Sequence, residues 1–153
     1  MFNVTIGRLF IPLIIALAAC GAAHAQDKVV LVTASEAALP SVPVGELSRR
    51  GVTRGPKITL VSPAKTDGNT SPLHLELKFE TFGGARIDPQ ALKVSYLKKP
   101  SVDLTDRVKP FLQGAELNIK QAELPPGDHV IRVDVKDTDG RLASALFTLN
   151  IVP

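Results

Sequence analysis

The 29 residues from Leu124 to Val152, LPPGDHVIRVDVKDTDGRLASALFTLNIV, leave the chain few folds to choose from. Ile131, Val133 and Val135 alternate with Arg132, Asp134 and Lys136. A period of two marks a strand with one buried and one wet face. Ala143, Ala145, Phe147, Leu149 and Ile151 supply the answering apolar set. Between the two runs, Asp137-Thr138-Asp139-Gly140 puts an Asp at the start of a type I turn and a Gly where a left-handed residue closes it. The pattern predicts a hairpin with Val133 in the core, Arg132 in water and a positive φ at Gly140.

The upstream sequence reads as strands recruited onto that hairpin. Ile58 and Leu60 alternate with Thr59 and Val61 up to Pro63, and a polar turn follows from Lys65 to Thr70. Leu73, Leu75, Leu77 and Phe79 then alternate with His74, Glu76, Lys78 and Glu80, and Gly83-Gly84 ends the run. Leu92, Val94 and Tyr96 form the next inward set, an edge piece is expected within Val102 to Val108, and Leu117 with Ile119 marks another strand. No segment carries a long helical period. Short strands at this spacing predict an antiparallel sandwich of about seven strands over 57–153. Aromatics make up only 5% of the chain and Trp is absent. The core must therefore be aliphatic, with Phe79, Phe82, Phe111, Phe147 and Tyr96 as its expected rings.

The N-terminus reads as an export signal. Arg8 is the only charge before Asp27, and Leu9 to Ala19 is an apolar run of 11 residues. A bilayer needs about 20, whereas the h-region of a signal peptide is this short. Ala23-His24-Ala25 before Gln26 fits the small-x-small cleavage pattern, so residues 1–25 are read as the leader and Gln26 as the first mature residue. Leu17-Ala18-Ala19-Cys20 resembles a bacterial lipobox, which makes lipidation of Cys20 the alternative. On either reading the single cysteine leaves no disulfide and no free thiol in the exported part. The expected address is the periplasm or the exterior, and a membrane surface only if Cys20 is lipidated.

Residues 26–56 differ in composition from residues 57–153. Val29 to Val32 reads as a short lone strand and Ser35 to Leu39 as one helical turn, after which Pro40, Pro43, Gly45, Gly51, Gly55 and Pro56 break any longer element. This stretch is expected to be an extended, partly disordered arm. Arg49, Arg50 and Arg54 fall within six residues of it. They read either as a solvated linker or as a contact for an anionic envelope polymer or lipid head group. The formal charge of +3 falls to +2 once Arg8 is removed with the leader. So mild a balance argues against nucleic acid as a partner.

Taken together, Leu124-Pro125-Pro126-Gly127-Asp128-His129, the alternating strand, Asp137-Thr138-Asp139-Gly140 and the closing strand resemble the last third of bacterial immunoglobulin-like domains. Ile87-Asp88-Pro89 before a strand and Val102-Asp103-Leu104-Thr105 after it are similar to those domains too. The resemblance covers about Lys57 to Pro153 and implies an all-β immunoglobulin-like sandwich. It also implies an adhesive, spacer or accessory module of an exported protein. The paired Cys and buried Trp of antibody domains are absent.

Catalytic chemistry finds little to work with. There is no Gly-x-Ser-x-Gly elbow, and Gly83-Gly84 is followed by no Lys-Ser or Lys-Thr. The histidines, His24, His74 and His129, lie far apart in sequence, whereas a metal site needs converging ligands. His74 is expected in solvent and His129 half covered. Asp137 and Asp139 read as turn-formers, with calcium ligation as the alternative. No enzyme, cofactor or metal is expected. The reading is an exported non-catalytic module that binds a protein or envelope-polymer partner. Its alternatives are a lipid-anchored spacer and a small-ligand or metal carrier.

Overall fold

A computed structural model of the chain describes residues 28–43 and 55–153. Two β-sheets face each other across an aliphatic core. The first holds β1 (Lys28–Val30), β2 (Lys57–Ser62), β3 (Leu73–Glu80), β6 (Leu112–Gln113) and β7 (Glu116–Glu123), in the order β1-β7-β3-β2 with β6 also on β7. The second holds β4 (Lys93–Tyr96), β5 (Val102–Asp103), β8 (Gly127–Lys136) and β9 (Leu142–Ile151), in the order β5-β4-β8-β9. Two one-turn helices, α1 (Ala34–Ala37) and α2 (Thr105–Val108), lie between strands.

The alternation decides which side chains meet between the sheets. Leu73, Leu75, Leu77 and Phe79 of β3 are buried with Leu117 and Ile119 of β7, and they face Val94, Tyr96, Ile131, Val133, Val135 and Leu149 of the second sheet. The hairpin pairs without a slip from Gly127↔Ile151 to Lys136↔Leu142. An unbroken register keeps every inward residue inward, because a slip of one would reverse all of them.

The sandwich forms as expected, with eight strands within 57–153, and β1 joins from outside that range in a parallel pairing with β7. Two expectations need correction. The expected edge piece from Val102 to Val108 is strand for only two residues. The Asp103 carboxylate accepts the Thr105 N–H at 2.8 Å and turns the chain into α2, which drops Leu104 and Val108 into the core. Phe82 is not a core ring. It sits 55% exposed beside Gly83 and Gly84, whose φ angles of 68° and 80° carry the loop away from the sheet.

The stretch read as an arm also joins the body over its first part. Leu31 and Val32 are buried in the core, and the Leu31 and Val32 N–H groups both bond Glu123 O. Burying two such side chains is worth about 1.5–3 kcal/mol each. Thr33 then caps α1 reciprocally: Glu36 N–H reaches Thr33 Oγ1 at 3.3 Å and Thr33 N–H reaches Glu36 Oε2 at 2.9 Å. β1, Leu31, Val32 and α1 are therefore packed with the elements of 57–153.

Candidate functional site

β9 is an edge strand of ten residues, Leu-Ala-Ser-Ala-Leu-Phe-Thr-Leu-Asn-Ile, without a charge, a proline or a glycine. Its backbone directions follow from its end. Asn150 N–H donates to Thr66 O at 2.7 Å and Asn150 O accepts from Asn69 N–H at 3.1 Å, so residue 150 turns its polar groups away from β8. Residues two apart share a direction. Ser144, Leu146 and Thr148 therefore also aim N–H and C=O outward, where among the described residues no backbone hydrogen bond meets them, although β2 packs beside β9. Both ends of this edge are occupied. Gly55 lies so close to the Leu142 carbonyl that an added Cβ would stand 2.2 Å from it, and Thr66 with Asn69 covers the other end. What remains is a five-residue slot, Ser144–Thr148. Beside it Leu142 and Leu146 stand on the outer face, 60% and 43% exposed.

The turn between β8 and β9 is built from within. Asp137 is buried, and its Oδ1 accepts from Asp139 N–H at 3.0 Å and Arg141 N–H at 2.8 Å. Arg141 Nη1 reaches Asp137 Oδ2 at 3.6 Å and Asp139 Oδ2 at 2.9 Å. Gly140 closes the turn at φ 84°. Arg86 and Asp88 bond the backbone on either side, so the turn is also tied to the loop before β4. The carboxylates are engaged by protein donors, as turn chemistry requires.

A polar cluster lies at the opposite end of the sandwich. His129 Nε2 lies 2.7 Å from Pro125 O and Nδ1 lies 3.0 Å from Tyr96 Oη. A carbonyl only accepts, so Nε2 carries the proton and Nδ1 accepts from the Tyr96 hydroxyl. Lys98 Nζ stands 5.3 Å from the Tyr96 ring centre and donates to Ala37 O at 3.0 Å and Ser41 Oγ at 3.1 Å. Glu36 and Arg107 complete the region with two bonds of 2.6 and 2.9 Å, and Arg107 Nη1 also donates to Leu31 O at 2.8 Å. The Arg107 hydrogen bonds hold the Glu36 carboxyl at about 2, well below the usual carboxylate range, against the opposing effect of burial. Burial, with the Glu36 charge behind it, pushes the Tyr96 hydroxyl up. His129 is 1% exposed rather than half covered.

Of the sequence-predicted sites, Cys20, Ala25, Gln26, Arg49, Arg50 and Arg54 lie outside the described residues. Asp137 and Asp139 come together as expected. His74 faces out of the first sheet and meets Asn118 Oδ1 at 3.0 Å, whereas His129 is buried in the second. No three of His, Cys, Asp and Glu converge among the described residues. Two Ser-x-x-Lys spacings, at Ser62 with Lys65 and at Ser95 with Lys98, escaped the sequence reading. That pattern joins its residues on a helix. Here Ser95 lies in β4, where alternation points its side chain away from the core while Lys98 is buried. Sequence reasoning also missed the Glu36–Arg107 pair, 71 residues apart.

No protein-family model and no curated protein matches the chain. Among solved structures, the crystal structure of CopC from Methylosinus trichosporium OB3b superposes with a TM-score of 0.42 at 20% identity, covering 63% of this chain and 95% of that one. A superposition that loose carries no argument about what this chain binds.

Proposed function

We propose that the chain is an exported, non-catalytic immunoglobulin-like module that binds a protein partner by accepting an extended segment onto the free edge of β9. The observation that carries this reading is the uncharged slot Ser144–Thr148. Natural edge strands are blunted by lysine, proline, bulges or a covering element, because unpaired N–H and C=O rows recruit other strands. No lysine, proline or bulge falls between residues 144 and 148, and among the described residues no strand pairs with them on their outward side. An extended peptide satisfies the outward groups of Ser144, Leu146 and Thr148, and its own side chains lie beside Leu142 and Leu146. The strand order supports the immunoglobulin-like part: β2, β3 and β7 share one sheet while β4, β8 and β9 share the other, which parallels the ABE and CFG division of constant-type domains. The apolar space between the sheets, lined by residues such as Leu75, Val94, Ile131 and Phe147, offers a small ligand no hydrogen-bond partner. Export rests on the leader read from residues 1–25.

The test is affinity capture from envelope extract with the wild-type chain and with Leu146→Lys. The lysine side chain points to solvent, so folding is retained while the edge is blunted. A protein retained by the wild type and lost from the variant supports the reading. Equal retention by both, or retention of a polymer and no protein, would overturn it.

A further inference from the structure

The buried cluster around His129 has a chemistry that the binding edge does not use. Neutral His129 satisfies both of its ring nitrogens and the Tyr96 hydroxyl: Nε2–H goes to Pro125 O, and Nδ1 accepts the hydrogen bond of the Tyr96 hydroxyl. Tyr96 is fully buried, and its hydroxyl has no other acceptor among the described residues. Protonation of Nδ1 turns an acceptor into a donor. The Tyr96 oxygen then accepts, its own proton loses its partner, and a buried O–H is left unsatisfied. The new charge also arises close to Lys98, whose Nζ faces the same Tyr96 ring. Like charges in a buried setting repel strongly.

Lys98 is the group that ties residues 37–41 down. Its Nζ donates to Ala37 O and Ser41 Oγ, Ser41 bridges residue 98, and Lys99 N–H donates to Pro40 O at 2.9 Å. Displacing Lys98 therefore loosens this strap where it crosses the end of the second sheet. We propose that His129 is a proton-operated latch: neutral, it holds the 37–41 strap through Tyr96 and Lys98, and protonated, it releases it.

The charged and titratable groups around the ring push both ways. Burial lowers the tendency of His129 to protonate and the Lys98 charge adds to that, whereas the Pro125 bond and the Asp128 charge oppose them. Glu36 acts on Tyr96 from α1, and it is itself neutralised by Arg107. Because the folded ring titrates below the free one, the strap is fully held above the ordinary histidine range. The hold weakens as pH falls below that range towards the folded value.

The experiment is amide hydrogen exchange on the full chain across pH, corrected for the intrinsic rate, with the His129 ring followed by NMR in the same samples. Tyr96 is the only tyrosine and no Trp is present, so tyrosine fluorescence reports on this cluster alone. Lys99, Ala37 and Ala38 amides are expected to exchange on the order of tenfold faster once the ring is charged, while Val133 and Val135 do not change. In His129→Gln the pH dependence of the strap should vanish. Lys98→Met, which keeps the ring pair, should leave the strap loose at every pH and stands in if the glutamine variant does not fold. A ring that titrates without any change in the strap amides would overturn the latch. So would an unaltered pH response in His129→Gln, or a strap that stays protected in Lys98→Met.

Discussion

Val133 and Arg132 are neighbours in sequence with opposite surroundings. Val133 is buried between the sheets, while Arg132 lies in solvent with Asp134 and Ser144 around it. Val133→Ala should cost about 1–3 kcal/mol through lost burial and a residual cavity. Arg132→Ala should cost under about 0.5 kcal/mol, and denaturant melts of the two variants in that order check the register. At the turn, Gly140→Ala should destabilise by about 1–2 kcal/mol, because φ at 84° strains any residue with a Cβ. Millimolar calcium should leave the melting temperature of the wild type unchanged, since a ligand confined to the folded state must raise it. A rise that Asp139→Asn abolishes would put a metal role first. These residues were legible because alternation and turn chemistry act over a few positions. The burial of His129 was not, because its partner Tyr96 comes from β4, 33 residues away.

At the scale of elements, the strands of 57–153 were readable and their neighbours were not. Period two reports a face, whereas strand order depends on pairings such as β3 with β7, more than 30 residues apart. The docking of residues 28–43 was hidden for the same reason. Leu31 and Val32 look like any short apolar run until β7 is placed beside them, and Glu36 looks exposed until Arg107 arrives from α2. That ion pair makes an acid-range prediction. The Glu36 carboxyl titrates at about 2 in the folded chain, against the ordinary carboxylate range when unfolded. Its contribution is present in full above the unfolded value and is lost as pH falls through about 2. Glu36→Gln should lose about 1–2 kcal/mol at neutral pH, and the difference from wild type should shrink as both are melted at progressively lower pH. A constant difference down to the acid limit would contradict the clasp.

For the whole molecule, the leader and the edge carry the account. The proposed leader predicts a mature N-terminus at Gln26, which intact mass and N-terminal sequencing check; a lipidated Cys20 would contradict it and move the protein to a membrane surface. The edge was beyond the reach of the sequence, because Leu142–Ile151 reads the same whether it lies at the rim or in the middle of a sheet. Its outward groups stay unpaired among the described residues because β2, though packed beside β9, pairs with β3 instead. The central claim is that Ser144–Thr148 receives a partner strand, and amide exchange on the free chain and on its complex with the captured protein tests it most directly. The Ser144, Leu146 and Thr148 amides should exchange freely alone and become protected in the complex, with Val133 and Val135 unaltered. Protection already present in the free chain, or three amides that stay open when the partner is bound, would contradict the account.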